Sequence, residues 1–482
     1  MLFNSYIFIL AFLPLCLFGW FGLNHFNCHK LAQAFLLGMS LWFYGYFNTK
    51  YLVIITSSVL VNYCIYRLMA RFRAKRIVLL LGLTFNIGLL LYFKYLDFFI
   101  SVFNQITKSE HTLLGILLPL GISFFTFQQI SFIVDAYKGE VPNYGFLEYA
   151  CFVTYFPQLI AGPIVTHDEL VPQFQDESKR RFEWENFSKG VYLFSLGLAK
   201  KVLLADTFGN AANIGYADIN ALDATNAIIT MLSYTIQIYF DFSGYCDMAI
   251  GIGKMMNIDL PLNFNSPYQS LTITEFWDRW HMTLTRFFTR YVYIPLGGSR
   301  NGKLRTYLNI FIVFFISGFW HGAGYTFIVW GICHGVFSII TRQFRSFFKA
   351  LHPALNWLIT FGFVNVMWVF FRADTLGGAL KLLNRIARCQ FGAINTAMLA
   401  CFKPVEIQWL LDYMPKLQQV YPFFAMSIWF VLAMLLLLGG GNAYERMQAF
   451  RPTAGKVFTT AGLLVWSIFS LTGVSTFLYF NF

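Results

Sequence analysis

Residues 77–101, IVLLLGLTFNIGLLLYFKYLDFFIS, form a long apolar run that contains only two charged side chains, Lys94 and Asp97. A helix that crosses the hydrocarbon core of a bilayer needs about 20 mostly apolar residues. The run therefore predicts a transmembrane helix. The short segment before it, residues 67–76, is rich in Arg and Lys. Such loops of membrane proteins stay in the cytoplasm.

The composition extends this interpretation to the whole chain. Its 482 residues are 57% hydrophobic and only 12% charged, whereas soluble domains carry about a quarter charged residues. We therefore expect a single membrane-embedded domain over residues 1–482. Basic cytoplasmic loops also explain the net charge of +12. No basic tract with interleaved aromatics lies outside an apolar segment, so nucleic-acid binding is not expected.

Similar apolar runs recur along the sequence. The predicted spans are 5–22, 31–48, 51–68, 77–101, 112–136, 189–208, 224–251, 304–319, 324–343, 354–372, 422–440 and 457–477. They indicate an all-α polytopic membrane protein with about 11–13 transmembrane helices. The stretches 148–165 and 257–298 are apolar but broken by Pro, Gly and charges. Irregular backbone cannot face lipid, so we expect re-entrant segments or short buried helices there.

The basic loop also fixes an expected orientation. Three predicted spans precede it, which places the N-terminus outside the cytoplasm. The first residues lack a basic region and a cleavage site, so they predict a retained span rather than a signal peptide. Residues 376–482 form a less characteristic tail with about two final spans. Lys381, Arg385 and Arg388 in this tail have helical spacing, which predicts an interfacial amphipathic helix.

Cysteines and scattered histidines give little functional signal. None of the eight cysteines forms a Cys-x-x-Cys pair, so neither a zinc site nor a disulfide framework is predicted. The histidines near predicted loops are expected to be solvated; these are His25, His29, His111, His167 and His352.

Charged residues inside apolar runs are costly and therefore of interest. Lys94 and Asp97 are three residues apart on one predicted helix and can form a pair. Asp241 and Asp247 are six residues apart, so their side chains point to different sides of a helix. That spacing favours bonds to neighbouring helices or to the 275–290 segment over a catalytic dyad. A proton relay is the alternative.

Two motifs combine polar groups with many aromatics. Residues 275–300, EFWDRWHMTLTRFFTRYVYIPLGGSR, carry charges of both signs and predict either an interfacial helix or a buried polar network. Residues 318–335, GFWHGAGYTFIVWGICHG, place His321 and His334 before glycines in apolar sequence. A histidine shielded from water suits general-base chemistry. The thirteen-residue separation and the lack of an adjacent carboxylate argue against a metal site.

These motifs resemble those of the membrane-bound O-acyltransferase family, in particular its bacterial branch with alginate acetylation and teichoic-acid D-alanylation proteins. Five motifs occur in the expected order within a core of residues 1–375. They are 117–139, 156–164, 236–253, 273–300 and 318–335. The resemblance implies a helical funnel with a central tunnel.

The resemblance also implies roles for individual residues. His321 falls on the family's invariant histidine and would act as the general base, with His334 as an orienting or proton-passing partner. Four residues would line the passage, namely Trp320, His281, Gly322 and Trp277. Four others would form its polar support, namely Asp241, Asp278, Arg279 and Arg286. His281 matches the alginate-type branch, which favours acetyl over D-alanyl transfer. An acyl-histidine intermediate remains an alternative mechanism.

The implied reaction uses no bound cofactor. Its co-substrate would be an acyl thioester, acetyl-CoA or an acyl-carrier protein, on the cytoplasmic side of a bacterial plasma membrane. Expected partners are membrane lipid, an extracytoplasmic SGNH-like acetyltransferase or other acceptor protein, and a polysaccharide acceptor.

Several alternatives stay open at this point. Close variants are peptidoglycan O-acetylation and D-alanyl transfer to teichoic acid. A different class is a proton-coupled transporter that uses Asp241, Asp247 and the histidines as a relay. Another is a scaffold of a polysaccharide-export complex without chemistry of its own.

Overall fold

A computed structural model describes residues 1–403, 415–471 and 476–478. These residues fold as helices and connecting loops, and their only β-pairing is an isolated bridge between Phe264 and Trp280. The prediction of an all-α protein is confirmed. Parts of the predicted tail and of its last span, residues 404–414, 472–475 and 479–482, lie outside the described residues.

The helices follow one another with short connections. Those of the first part are α1 (Leu13–His25), α2 (His29–Gly45), α3 (Lys50–Arg71), α4 (Lys75–Leu90), α5 (Leu96–Thr107), α6 (Ile122–Lys138), α7 (Phe146–Thr154), α8 (Phe156–Leu159) and α9 (His167–Gln175). Those of the middle part are α10 (Trp184–Ala199), α11 (Asp206–Ala217), α12 (Ala224–Met255), α13 (Ile273–Arg279), α14 (Met282–Phe288), α15 (Gly302–His321) and α16 (Tyr325–Gln343).

The last part continues the same pattern. Its helices are α17 (Arg345–Ala350), α18 (Pro353–Arg372), α19 (Leu376–Ala387), α20 (Thr396–Ala400), α21 (Pro415–Leu438), α22 (Ala443–Gln448) and α23 (Ala454–Phe469). In the described part of the chain, π-helical segments extend or join these helices at Phe8–Phe12, Leu91–Tyr95, Lys200–Ala205 and Thr289–Tyr293. The same part contains short 3₁₀ turns at Glu177–Arg180, Ile219–Ala221 and Pro267–Gln269.

Several helices are built to cross a membrane. Six within the described residues are long and apolar enough to do so: Phe8–His25, Lys50–Arg71, Lys75–Thr107, Tyr325–Gln343, Pro353–Arg372 and Tyr421–Leu438. Large apolar side chains point outward, and Phe18 and Leu304 are 80% and 84% exposed. Such a surface suits lipid rather than water. The protein is a multi-pass membrane protein, and the count of 11–13 spans stays a prediction.

One predicted span is partly wrong. The sequence suggested 112–136, but residues 109–121 are not helical and α6 begins only at Ile122. Gly121 precedes α6 with a left-handed φ of 68°, and a Cβ there would lie 2.7 Å from the Leu159 carbonyl oxygen. The backbone turn and this close approach both require glycine. The helix therefore starts late.

The two interrupted stretches fold as expected. Residues 148–165 contain most of α7 and all of α8, whose residues Phe156–Leu159 are buried. Residues 257–298 contain the short helices α13 and α14. Residues of all four short helices are buried within the protein, where broken backbone is tolerated at membrane depth. The prediction of short, at least partly buried helices is confirmed.

Helix α12 forms the centre of the fold. Its 32 residues correspond to a length of about 48 Å, and most of its side chains are buried. The π-helical segment after α10 supplies two lysines to it. Lys201 pairs with Asp241 at 2.7 Å, and Lys200 pairs with Asp247 at 2.6 Å. The aspartates therefore bind a neighbouring helix, as predicted, and not the 275–290 segment.

The predicted amphipathic helix of the tail is present as α19. It buries Ala379 and Leu382 against the body of the protein. Its basic residues lie on the other side, where Arg385 donates to the Asn220 carbonyl oxygen at 2.6 Å.

The basic loop identifies one end of the helix bundle. The loop between α3 and α4 is basic, and Arg67 beside it donates to Asn143 at 3.0 Å. Nearby Glu140 pairs with Arg290 at 2.8 Å, which places the segment after α14 at the same end. We call this the basic end. The start of α12 and the loop between α15 and α16 lie at the opposite end.

Candidate active site

Helices α15 and α16 form a tight hairpin that carries the two motif histidines. A Cβ on Gly318 would lie 2.9 Å from Gly331 Cα, and one on Gly331 would lie 2.6 Å from the Phe314 carbonyl oxygen. Only glycine at both positions lets the two helices approach so closely. The hairpin turns at Gly322–Gly324, so His321 is the last residue of α15 and His334 lies in the middle of α16.

His321 is 3% exposed and lies among aromatic rings. Its ring centroid is 4.8 Å from Trp320 and 5.2 Å from both Trp330 and Phe371. Gly322 begins the turn in extended conformation, and a Cβ there would overlap the Phe327 ring. The surroundings shield this imidazole from bulk water, as the sequence motif suggested.

His334 is fully buried and has a defined hydrogen bond. Trp277 donates its indole N–H to His334 Nδ1 at 3.2 Å. A neutral imidazole with an acceptor at Nδ1 carries its proton on Nε2. Nε2 has no hydrogen-bond partner among the described residues. His334 is therefore oriented by Trp277 and keeps one donor position available.

His281 enters the same region from the segment between α13 and α14. It adopts a left-handed backbone with φ 47°, and its Nδ1 is 3.1 Å from Asn263 Oδ1. The same oxygen accepts from the Thr283 hydroxyl at 2.9 Å. The His281 ring lies 6.4 Å from Trp320, so the three histidines share one aromatic environment.

Two cavities open toward this aromatic cluster from opposite ends. The basic-end cavity has a volume of about 1300 Å³ and is lined by Trp277, Phe314 and Ser317 at its inner part. The opposite cavity, of about 640 Å³, is lined by the Ala323–Gly324 turn and by Phe371.

The Trp330 indole lies between residues that line the two cavities. The Trp330 ring is 5.6 Å from Trp277, which lines the basic-end cavity, and 5.4 Å from Phe371, which lines the opposite cavity. It is also 4.6 Å from His334 and 5.2 Å from His321. Both histidines therefore lie in a thin aromatic wall between the cavities.

The four residues expected to form polar support are not brought together. Asp241 binds Lys201 and accepts from the Leu478 N–H at 2.8 Å. Asp278 is exposed in the basic-end cavity, and Arg279 pairs with Glu275 at 2.9 Å. Arg286 pairs with Glu169 at 2.5 Å, in a separate small cavity. Within 275–300 the buried polar contacts are those of His281 and Thr283 with Asn263, and the interfacial-helix interpretation stays a prediction.

Two expectations about single residues are wrong. Asp97 does not pair with Lys94; it accepts from the Leu114 and Ile116 N–H groups at 2.8 and 3.2 Å. Lys94 donates instead to the Trp320 and His321 carbonyl oxygens. His167, expected in solvent, is 2% exposed, with Nε2 3.6 Å from Asp135. It is the first residue of α9, directly after the Thr166 N-cap.

Sequence reasoning missed Lys94, Trp330 and Phe371 as neighbours of the histidines. Trp330 lies within the quoted motif, where its position one turn before His334 was an available signal. Phe371 comes from α18, beyond the motifs. Its contact with His321 is a tertiary one that periodicity cannot reveal.

Fold and site now define the class of the protein. A model of the MBOAT, membrane-bound O-acyltransferase family, matches residues 27–376. The chain belongs to this family and is an O-acyltransferase.

Three relatives with named activities are similar to this chain. The chain is 40% identical to the peptidoglycan O-acetyltransferase of Helicobacter pylori, over 100% of the chain and 98% of the relative. It is also 40% identical to a probable alginate O-acetylase of Pseudomonas aeruginosa, over 79% of the chain and 74% of the relative. The teichoic acid D-alanyltransferase of Bacillus subtilis is 27% identical over 51% of the chain and 66% of its own length.

Proposed function

We propose that this enzyme moves an acetyl group from a cytoplasmic thioester to a hydroxyl group on the other side of the membrane, for O-acetylation of a cell-envelope glycan. The observation that carries the proposal is the position of His321 and His334. They contact Trp330, whose ring lies between residues that line cavities opening at opposite ends of the bundle. Donor and acceptor can meet there without crossing lipid.

The distribution of basic residues supports a donor site on the cytoplasmic side of the membrane. Basic residues surround the mouth of the basic-end cavity, namely Lys303, Arg342, Arg345 and Lys349. The basic loop between α3 and α4 lies at the same end. The positive-inside rule places this end in the cytoplasm and the N-terminus outside.

The same residues suit the donor. Acetyl-CoA and the prosthetic group of an acyl-carrier protein both carry phosphate, and lysine and arginine bind phosphate by charge-assisted hydrogen bonds. The cavity has a volume of about 1300 Å³, which is enough space for a thioester arm, and it extends inward to Trp277. The donor carbonyl would thus arrive next to the wall.

The reaction itself needs one base and one orienting group. His321 would accept the hydroxyl proton as the oxygen attacks the thioester carbonyl. Collapse of the tetrahedral intermediate would break the C–S bond and release the thiol, to which the imidazolium returns the proton. His334, fixed by Trp277, would orient the reacting groups through its Nε2–H. In the acyl-histidine alternative, an imidazole nitrogen would hold the acetyl group between two transfers.

The relatives favour acetyl over D-alanyl transfer. Both acetylating relatives are 40% identical, against 27% for the D-alanyltransferase. Peptidoglycan is the favoured acceptor because that relative matches the whole chain, including the tail. An exported polysaccharide is the second candidate, supported by the alginate relative over 79% of the chain. An extracytoplasmic acceptor protein of the SGNH type would carry the acetyl group onward in either case.

The proposal is tested by measuring base-labile acetate in the parent strain, in a deletion strain and in the complemented deletion strain. Ester should be measured separately in purified sacculi and in the exported polysaccharide fraction, with D-alanine in teichoic acid as a third readout. Loss of acetate from sacculi alone supports the peptidoglycan acceptor, and loss from the exported fraction alone moves the proposal to that polymer. Unchanged acetate in both fractions would contradict it, most clearly if D-alanine falls.

A further inference from the structure

Lys94 is a charged residue inside a transmembrane helix, and it contacts the helix that carries His321. Lys94 and Tyr95 belong to the π-helical segment Leu91–Tyr95 between α4 and α5. Within the described residues the contacts of the Lys94 ammonium include no carboxylate. It donates to the Trp320 carbonyl oxygen at 2.6 Å and to the His321 carbonyl oxygen at 3.1 Å.

These contacts meet a need that the fold creates. The last four carbonyl groups of an α-helix have no partner within the helix. Inside a membrane, water is not present to satisfy them. Tyr95 donates its hydroxyl to the Phe319 carbonyl oxygen at 2.6 Å. Together, Lys94 and Tyr95 bind the carbonyl groups of the last three residues of α15.

When Lys94 is protonated, its charge adds to the hydrogen bonds. A cation at the C-terminus of a helix complements the negative end of its dipole. The ammonium also lies 5.6 Å from the centroid of the Trp320 ring, and that ring contacts His321 at 4.8 Å. Lys94 thereby contacts both the backbone of His321 and the Trp320 ring that packs against the His321 imidazole. A π-helical insertion turns side chains away from the regular helix face, and such insertions are frequent at functional sites.

We propose that Lys94 is a positioning residue for acyl transfer, which fixes the end of α15 so that the His321 imidazole is held at the wall between the two cavities. This inference rests on the proposed function of His321. Without Lys94 the last turn of α15 loses two hydrogen bonds next to the Gly322–Gly324 turn. A displacement of about 1 Å in a catalytic group can lower a rate by about 100-fold.

The test compares Lys94→Met, Lys94→Arg and Tyr95→Phe with wild type and with His321→Ala. Glycan-bound acetate per unit of enzyme is measured in cells, with membrane abundance and the unfolding temperature in detergent recorded for each variant. Lys94→Met should lose about 10- to 100-fold of the activity per enzyme. Lys94→Arg should recover much of it, because a guanidinium can reach the same carbonyl oxygens. Tyr95→Phe, which removes only the neighbouring hydrogen bond, should stay within about threefold of wild type.

Each other outcome has a defined meaning. Full activity per enzyme in Lys94→Met, with His321→Ala inactive, overturns the positioning role and leaves the proposed function intact. An equal loss in Lys94→Met and Tyr95→Phe, matched by an equal fall in unfolding temperature, also overturns it, because Lys94 would then serve stability alone. Retained activity in His321→Ala refutes His321 as the base of the proposed function, and with it the role of Lys94.

Discussion

The hydrogen bond from Trp277 to His334 is the most specific single contact in the site. Trp277→Phe keeps an aromatic ring against Trp330 but removes the indole N–H that fixes the His334 tautomer. We expect acetyl transfer to fall by about 3- to 10-fold, which corresponds to the loss of one neutral hydrogen bond. Glycan-bound acetate at matched enzyme abundance measures the effect.

A matched control exists at a distant indole. Trp429 donates its N–H to the Phe402 carbonyl oxygen at 3.1 Å, so Trp429→Phe removes the same kind of bond outside the site. It should leave the activity per enzyme unchanged. Equal losses in both variants would mean that Trp277 has no particular relation to the reaction.

The sequence predicted which residues belong to the site better than it predicted their contact partners. His321, His334, His281, Trp320 and Trp277 do lie in one aromatic cluster. Lys94 was paired with Asp97 because both lie on one face of a helix. That reasoning sees only local neighbours, whereas the carbonyl groups that bind Lys94 come from residues more than two hundred positions away. The same limit hid the partners of Asp241 and Asp247.

Contact between α15 and α16 depends on Gly318. In Gly318→Leu the added side chain would meet the Gly331 backbone at 2.9 Å and the Phe327 carbonyl oxygen at 2.5 Å. Overpacking of this kind costs about 1–3 kcal/mol or more. The unfolding temperature in detergent should fall and activity should be lost. Gly362→Leu is the control, since nothing lies within 4 Å of a Cβ at Gly362 of α18, and it should unfold like wild type.

The Lys201–Asp241 pair joins the π-helical segment after α10 to α12. Asp241→Asn leaves the Lys201 ammonium, 2% exposed, with Asp206 as its remaining ionic partner. Breaking one side of a buried pair costs about 3–5 kcal/mol when it leaves an uncompensated charge, and the retained Asp206 reduces that cost. We expect low membrane abundance and early unfolding for Asp241→Asn. The double variant Lys201→Met with Asp241→Asn should be the more stable of the two, and the reverse order would show that the pair itself is not the stabilising feature.

Elements were predictable where apolarity was continuous. The long runs became helices with ends close to those expected, and the interrupted stretches became short buried helices. The failure at 112–136 has a local cause. Hydropathy is high on both sides of Gly121, but the left-handed glycine and its contact with the Leu159 carbonyl oxygen delay the start of α6.

The sidedness of the whole molecule can be tested with its own cysteines. Cys28 lies between α1 and α2 at the basic end, and Cys389 follows α19 at the opposite end. Both are exposed. A membrane-impermeant maleimide applied to intact spheroplasts should label Cys389 and leave Cys28 unlabelled until the membrane is permeabilised. Cys28→Ser and Cys389→Ser variants assign each signal, and the opposite pattern would reverse the orientation.

The central claim is that His321, in the wall between the two cavities, is the base for acyl transfer. The most direct measurement is glycan-bound acetate in cells that carry His321→Ala, with membrane abundance and unfolding temperature compared with wild type. We predict that the ester is lost while the protein remains abundant and folded. Wild-type levels of ester from the variant would contradict the claim and would assign the base to another residue.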